Sequence, residues 1–201
     1  MTTISIIGSG NMAATIATRA VKHGHTVEVM SRDTAKAQSL ADRIGASAGA
    51  FGARPAGDIV IVAVLHAAAV EVVEHYGDAL AGKILIDITN PFNADASGLV
   101  TTPGHSISQQ IAAAAPAGTH VVKAVNTIFR GVLARDEPLD AFFAGDGVEA
   151  KAGVAAFLKS LGLRPLDAGG LDMTYALEWA GILLVGLARN GAGFDVALGA
   201  G

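Results

Sequence analysis

The chain has 201 residues, of which 51% are hydrophobic and 16% are charged, and its net charge is −4. This length fits one domain, and the lack of cysteine excludes disulfides, iron–sulfur clusters and zinc–thiolate sites. The acidic balance argues against nucleic acid or an anionic membrane as partner, and the first residues lack the basic region of a signal peptide, so we expect a cytoplasmic protein.

Short apolar runs alternate with amphipathic or alanine-rich segments along almost the whole chain. The predicted strands are Thr3–Gly8, Thr26–Ser31, Asp58–Val64, Lys83–Ile88, His120–Val125, Asp140–Gly145 and Leu163–Ala168. The predicted helices between them are Met12–Lys22, Thr34–Ile44, Ala67–Ala79, Ser106–Ala115 and Glu149–Leu161. This alternation predicts an α/β fold, with a single domain over residues 1–201 and a doubly wound, mostly parallel Rossmann sheet.

The last segment, about residues 170–190, is predicted to be a buried C-terminal helix that is apolar nearly all round. Its longest apolar run, Trp179–Ala188, is shorter than the roughly 20 residues that cross a bilayer, so we expect no membrane contact. A helix of this kind is buried in the core or against another subunit. We therefore predict a homodimer in which Leu183, Leu184 and Leu187 face the partner subunit.

The segment IIGSGNMAAT contains Gly8, Gly10 and Ala13 in the spacing G-x-G-x-x-A. It follows a strand and opens a helix, which is the context of a dinucleotide-binding turn, although a purely structural turn is the alternative. The free N–H groups and the dipole of the helix would stabilise a pyrophosphate. The predicted cofactor-binding residues of this turn are Gly8, Ser9, Gly10, Asn11 and Met12.

The end of the second strand distinguishes NADP from NAD. In this fold a carboxylate at that position binds the ribose 2′-hydroxyl of NAD. This chain has Ser31 and Arg32 there, with Lys36 one helical turn further on, while Asp33 is placed to cap the following helix. A hydroxyl, a guanidinium and an ammonium would bind a 2′-phosphate, which a carboxylate would repel. We therefore predict NADP(H) as the cofactor.

Four segments stand in the order typical of one family: IIGSGNMA at the start, SRDTAKA after the second strand, DITNPF after the fourth and VVKAVNTIF at the fifth. With them the chain resembles the F420-dependent NADP oxidoreductases, and also the NADP-binding reductase domain of the STEAP metalloreductases, over nearly its whole length. The resemblance implies an enzyme that transfers a hydride between NADP(H) and a deazaflavin, coenzyme F420, or a flavin. The chain departs from the family at His66, His105, Val125 and Arg130, which lie at strand ends or in the following loops.

Residues after the third, fourth and fifth strands are predicted to complete the site, because open α/β sheets bind ligands at this edge. Asparagine and threonine can hydrogen-bond a ring, and proline and phenylalanine offer apolar faces, although a turn and a helix cap would use the same residues. The predicted cofactor-binding residues here are Val64, Leu65, Asn90 and Pro91. The predicted residues for the second substrate are Phe92, Asn126, Thr127, Phe129 and Arg130, and Arg130 would favour an acceptor with a phosphate or carboxylate tail.

Hydride transfer between two stacked rings needs little acid–base help, which suits a sequence without paired carboxylates or a nucleophile with its base. No catalytic acid or base is therefore required, and the candidates for proton transfer are His66, His105 and Lys123. Lys123 lies in an apolar strand, where a structural ion pair is an equal alternative. The histidines form no cluster with other ligands, so we expect no metal site.

Two other interpretations stay open. The first is an NADPH-dependent reductase of a flavin, a quinone, an imine or a carbonyl compound, since a start similar to GSGNMA occurs in pyrroline-5-carboxylate reductases. The second is a non-catalytic NADP sensor that regulates a partner. A sensor needs no space for a second ring beside the nicotinamide, so the size of the pocket distinguishes it from an enzyme.

Overall fold

A computed structural model describes residues 1–200, which contain one eight-stranded sheet. The strands are β1 (Thr3–Ile7), β2 (Thr26–Met30), β3 (Ser47–Gly49), β4 (Ile59–Val62), β5 (Ile84–Asp87), β6 (His120–Ala124), β7 (Leu139–Gly145) and β8 (Leu163–Asp167). Their order is β3-β2-β1-β4-β5-β6-β7-β8, and every neighbouring pair is parallel except β6 with β7. The chain winds outward from β1 in both directions, so the predicted doubly wound, mostly parallel Rossmann sheet is confirmed.

Helices cover both faces of the sheet. They are α1 (Asn11–Lys22), α2 (Thr34–Ile44), α3 (His66–Tyr76), α4 (Ile107–Ala114), α5 (Arg130–Leu133), α6 (Val148–Ser160) and α7 (Thr174–Leu187). The helices α1, α2, α5 and α6 pack on one face, α3 and α4 pack on the other, and α7 contacts both α4 and β7. Strands between two helical layers are buried on both sides, and all four residues of β4 are buried.

Two short elements, β3 and α5, are absent from the sequence prediction. The strand β3 has three small residues and pairs with β2, and so short a run carries no alternating apolar signal. The helix α5 is a single turn of four residues after Phe129. Both lie close to the candidate site described below, so the sequence prediction lacks two elements that border this site.

The helix α7 buries one face and exposes the other. Leu177, Gly181 and Leu184 are buried, because spacings of four and three residues place them on one side of a helix. Leu183 and Leu187 lie outside this buried stripe and are 57% and 45% exposed. The prediction that Leu184 faces a partner subunit is therefore wrong, since this side chain packs within its own chain.

The helical segment Leu171–Ala192 is 22 residues long and contains an 18-residue stretch with a mean hydropathy of 1.4, enough by length and composition alone to cross a membrane. The expectation of no membrane contact rests on the ten-residue run Trp179–Ala188 alone, whereas the helical segment has the predicted extent of about residues 170–190, with a kink at Asn190 and Gly191. Glu178 near its middle is fully buried, and its Oε1 accepts a hydrogen bond from the backbone N–H of Ile107, 3.0 Å away. One third of the segment is buried against the rest of the chain. These contacts are those of a helix that packs on its own domain.

Candidate active site

A glycine turn leads from β1 directly into α1. Gly8 has a φ of +132°, and a Cβ there would lie 2.2 Å from the carbonyl oxygen of Ala63, so this position requires glycine. A Cβ at Gly10 would meet no atom within 4 Å, which leaves open space over the first turn of α1. No side chain caps this helix and its first turn has no acidic residue, so its N–H groups can bind an anion. The turn therefore fits the pyrophosphate of a dinucleotide.

This turn forms part of a cleft of about 690 Å³ at the carboxyl ends of β1, β2 and β4. We call it the nucleotide cleft, and its volume is within the range of cofactor sites. The predicted cofactor-binding residues that line it are Gly8, Ser9, Gly10, Asn11, Met12, Ser31, Arg32, Lys36, Val64, Leu65 and Asn90. Pro91 does not line it, because this residue is buried and its carbonyl oxygen accepts a hydrogen bond from Val100.

The polar residues after β2 differ in how free they are to bind a ligand. Asp33 caps α2 through the backbone N–H of Lys36, as predicted, and its Oδ2 also lies 3.1 Å from the Lys36 Nζ. The hydrogen bond from the Lys36 backbone, with the ion pair, lowers the pKa of Asp33. Ser31 accepts a hydrogen bond from Ser9 at 3.1 Å. Arg32 is exposed and makes no hydrogen bond or ion pair within residues 1–200, so its guanidinium is available to a 2′-phosphate.

Phe51, which sequence reasoning misses, also lines the nucleotide cleft. Its ring stacks on His75, with centroids 4.9 Å apart and planes 18° apart, and meets the edge of Tyr76. This arrangement fixes a flat apolar ring at the cleft wall. The only signal in the sequence is one aromatic residue in the glycine- and alanine-rich segment after β3, and that strand is too short to be predicted.

A second cavity of about 210 Å³, here called the acceptor pocket, shares Met12, Ile88 and Asn90 with the nucleotide cleft. Its other lining residues are Phe92, Val125, Asn126, Ile128, Phe129, Arg130, Gly181, Leu184 and Val185. Four of the five residues predicted for the second substrate are among them. The wall that α7 provides is missed by sequence reasoning, because the contact between this helix and the loops after β5 and β6 is purely tertiary.

Gly181 lets α7 approach the loop after β5. A Cβ at this position would lie 3.0 Å from both the Asn90 Oδ1 and the Phe92 Cζ, closer than ordinary contact. On this side the wall of the acceptor pocket is therefore the α7 backbone at Gly181, which has no side chain. A larger residue would have to displace the asparagine, the phenylalanine or the helix.

Two asparagines join the walls of the acceptor pocket. The Asn126 Nδ2 donates to the Asn90 Oδ1 at 3.0 Å and to the Leu177 carbonyl at 2.8 Å. The Asn90 Nδ2 donates to the Asn126 carbonyl at 2.8 Å. The buried Asn126 Oδ1 has no hydrogen-bond partner within residues 1–200, and a buried amide oxygen without a partner is costly.

The remaining predicted site residues lie in different surroundings. His66 begins α3 and lines the nucleotide cleft. His105 is exposed in the loop before α4 and lines neither the cleft nor the acceptor pocket. Thr127 is 1% exposed and lines neither cavity. Residues 1–200 contain no group of three or more His, Cys, Asp or Glu that could hold a metal ion.

Lys123 is fully buried behind the acceptor pocket, where it forms the ion pair considered as the alternative to proton transfer. Its Nζ lies 2.7 Å from the Asp87 Oδ2, 2.9 Å from the Thr89 carbonyl oxygen and 3.3 Å from the Glu178 Oε1. Burial would raise the pKa of Asp87, but the Lys123 charge and hydrogen bonds from Ser108 and Thr89 outweigh it and lower this pKa. The ammonium thus connects β5, β6 and α7.

Burial raises the pKa of Glu178 to about 7, partly offset by the Lys123 charge. Because the folded protein holds this proton more tightly than the unfolded chain does, the stabilisation is complete below pH 4.5, the ordinary value, and is lost as the pH rises through about 7. We expect the free energy of unfolding of the wild type, relative to Glu178→Gln, to fall between about pH 5 and pH 7 and then level off.

Urea unfolding at a series of pH values measures this difference. His25, whose pKa is lowered by burial, is present in both proteins, so its contribution cancels and the difference isolates Glu178. Parallel stability curves for the wild type and the variant would show that Glu178 does not bind a proton in this range.

The fold, the open phosphate turn and the cleft beside it define a Rossmann-type dinucleotide-binding protein. Residues 3–91 match the family profile described as NADP oxidoreductase, coenzyme F420-dependent. This part of the chain, which contains the phosphate turn and most of the nucleotide cleft, is therefore similar to NADP oxidoreductases, and the cleft fits NADP(H). The chain is also 33% identical to metalloreductase STEAP3 of Rattus norvegicus over 184 residues, which cover 87% of this chain and 35% of that relative. It thus spans about a third of the relative's length, and both resemblances stated from the sequence are confirmed.

Solved structures share the fold. A structure from Arthrobacter sp. FB24, described as a candidate F420-dependent NADP reductase, has a TM-score of 0.85 and 23% identity and covers 100% of both chains. A hypothetical protein from Sinorhizobium meliloti has a TM-score of 0.75 and 28% identity over 85% of this chain and 86% of that one. A reductive aminase from Aspergillus terreus has a TM-score of 0.67 and 23% identity over 96% of this chain and 63% of that one.

Proposed function

We propose that this protein is an NADP-dependent oxidoreductase that transfers a hydride between NADP(H) and a deazaflavin such as coenzyme F420, with a flavin as the second candidate acceptor. The observation that supports the proposal is the acceptor pocket, which adjoins the nucleotide cleft at Met12, Ile88 and Asn90. An acceptor in this pocket would lie beside the cofactor, as hydride transfer requires. A non-catalytic sensor would not need this second space.

The residues that line the acceptor pocket favour a ring over an imine or a carbonyl compound. They are apolar or carry amides, and Arg130 is the one ionisable side chain among the lining residues of the described chain. An arginine stays protonated, so it is a poor donor for the proton that an imine or carbonyl takes up on reduction. Stacked rings need orientation and exclusion of water more than a local acid, and the phenylalanines and asparagines of the pocket supply both.

The relatives support this choice to different degrees. The matched family is described as F420-dependent, and the Arthrobacter structure is described in the same terms. The reductive aminase acts on other acceptors and is less similar in fold. The metalloreductase is a longer protein, so its similarity supports only the presence of the NADPH-binding part of a reductase in this chain.

The proposal is tested by mixing the protein with NADPH and one acceptor at a time, and following the loss of NADPH absorbance. The panel contains F420, FMN, riboflavin, a quinone and a cyclic imine. We expect the highest kcat/KM with F420. A higher value with the imine would favour the carbonyl or imine alternative, and NADPH binding without turnover of any acceptor would favour the sensor.

Cofactor preference is expected to depend on Arg32, the free guanidinium after β2. We predict that the wild type binds NADPH at least about tenfold more tightly than NADH, since a hydrogen bond to a charged group contributes roughly 1.5–3 kcal/mol. Arg32→Ala should remove most of this preference and leave NADH binding unchanged. Titration by fluorescence measures both affinities. The matched control is Arg43→Ala, because Arg43 is an exposed arginine in the last turn of α2. Equal affinities in the wild type would contradict the prediction.

We also propose that a second copy of the chain covers the exposed face of α7, giving a cytoplasmic homodimer. Trp179, Leu183 and Leu187 together expose a contiguous apolar side of the helix, and such faces mark contacts with partners. Leu183→Lys combined with Leu187→Lys is expected to convert the dimer to a monomer, because the interface would have to bury two charged groups. The monomer should stay folded, since the buried face of α7 is untouched. Light scattering at micromolar concentration tests this, and a wild type with the mass of one chain would refute it.

A further inference from the structure

A groove of about 400 Å³ lies between α1 and α5, beside the nucleotide cleft, with which it shares Asn11, and beside the acceptor pocket. Its lining residues are Asn11, Ala14, Thr15, Thr18, Arg19, Lys22, Arg130, Leu133, Ala134 and Asp136. The groove shares Arg130 with the acceptor pocket, so the two cavities meet at this side chain. An elongated molecule held in the pocket at one end can therefore continue into the groove.

The dimensions of the two cavities suit such a molecule. The acceptor pocket, at about 210 Å³, is below the range of about 300–1,000 Å³ for a complete ligand and holds little more than a ring system. The wall that α1 gives to the groove runs from Asn11 through Thr15 and Thr18 to Lys22, a stripe on one helix face. The eleven residue steps from Asn11 to Lys22 extend about 16 Å, the length of a flexible chain of several groups.

The charge of the groove is opposite to that of the whole protein. Three cations, Arg19, Lys22 and Arg130, and one carboxylate, Asp136, line it, whereas the chain as a whole carries −4. Hydrogen bonds from Lys22 and His23 lower the pKa of Asp136 to about 2, so this group is ionised and offsets one cation. The Arg130 side chain is exposed, and its guanidinium makes no hydrogen bond or ion pair with any residue of the described range 1–200. The groove is therefore suited to an anion.

The floor of the groove is fixed by a buried arginine. Arg19 is 4% exposed and donates hydrogen bonds to the carbonyl oxygens of Leu161 at 2.8 Å, Leu133 at 2.8 Å and Glu137 at 3.1 Å. Its Nε also lies 3.2 Å from Asp136. These contacts join α1, α5 and the end of α6, so the groove is preorganised and needs little reordering to bind a ligand.

We propose that the groove between α1 and α5 binds the anionic, hydroxylated tail of the acceptor whose ring occupies the acceptor pocket. The proposal depends on the proposed function, and it narrows the substrate class to ring compounds with a phosphate- or carboxylate-bearing chain. Thr15, Thr18 and Asn11 offer polar contacts along the tail, and Arg130 and Lys22 contribute positive charge near its two ends. The groove therefore distinguishes a tailed acceptor from the same ring without its tail.

Thr18→Glu tests this role. Thr18 is exposed and its hydroxyl bonds only the Ala14 carbonyl of its own helix, so glutamate is tolerated there. The new carboxylate would repel an anionic tail and, four residues before Lys22, would also pair with that ammonium. The matched control is Thr26→Glu, which adds the same charge at the exposed start of β2, at a residue that does not line the groove.

The measurement is steady-state turnover at saturating NADPH with two acceptors, F420 and its deazaflavin ring carrying only a ribityl chain. We expect Thr18→Glu to raise KM for F420 about fivefold with unchanged kcat, and the effect to weaken at high salt. KM for the tail-free ring should stay at the wild-type value, and Thr26→Glu should change neither. An unchanged KM for F420, or an equal rise for both acceptors, would overturn the groove proposal alone. Failure of both acceptors with the wild type would overturn the proposed function and the groove proposal together.

Discussion

Gly10→Val is expected to abolish detectable NADPH binding, with a loss of affinity of at least about a hundredfold, while the protein remains folded. Gly10 has φ and ψ of −76° and −179°, which any residue can adopt, and an added Cβ meets nothing within 4 Å. The branched side chain would therefore fit the free protein and occupy the space of the pyrophosphate. Fluorescence titration measures the binding, and thermal unfolding measures the fold.

Gly8→Val is the matched control for this experiment. It makes the same change two residues away, but its Cβ would lie 2.2 Å from the Ala63 carbonyl oxygen at a φ of +132°. We expect this variant to be strongly destabilised or unfolded. If Gly10→Val bound NADPH with wild-type affinity, the cofactor would lie elsewhere, whatever the result for Gly8→Val.

Lys123→Met is expected to lower the free energy of unfolding by about 3–5 kcal/mol. Methionine has a similar length, so packing changes little, but Asp87 keeps its negative charge in a fully buried position without the ammonium that compensates it. Breaking one side of a buried ion pair costs more than replacing both sides. Urea unfolding at neutral pH measures the loss.

The double variant Lys123→Met with Asp87→Asn separates charge from packing. It removes both charges of the closest pair. The asparagine oxygen can still accept from the Thr89 backbone N–H, and its amide N–H can donate to the Ser108 hydroxyl, which reverses that hydrogen bond. We expect it to recover part of the lost stability. A single variant that is as stable as the wild type would show that the ion pair between these residues is not the main anchor of β5, β6 and α7.

The cofactor half of the site is predictable from the sequence because its signals are local. Gly8, Gly10 and the Asp33 cap each depend on the few residues around them, and parallel strands bring their carboxyl ends to one edge of the sheet. The acceptor half depends on contacts distant in sequence. That Asn126 binds the Leu177 carbonyl, or that Lys123 meets Glu178, follows from where α7 packs, and no local pattern encodes this position.

Asn126 and Thr127 show that sequence reasoning can fail even between adjacent residues. Sequence reasoning assigns Asn126 and Thr127 equally to the second substrate, but only Asn126 lines the acceptor pocket. Val125 has a φ of 63°, in the left-handed region, so the regular alternation of strand β6 ends there. Beyond that residue, spacing along the chain does not predict which side chain faces a cavity.

The missing side chain at Gly181 has a consequence for how this enzyme could change over evolutionary time. A single nucleotide substitution converts a glycine codon to one for alanine, and the added methyl group would press on Asn90 and Phe92 from α7. The phosphate turn and Arg32 belong to other elements and would be unaffected. Descendants of this protein could therefore acquire a narrower range of oxidants by a single codon change while inheriting the same source of reducing equivalents.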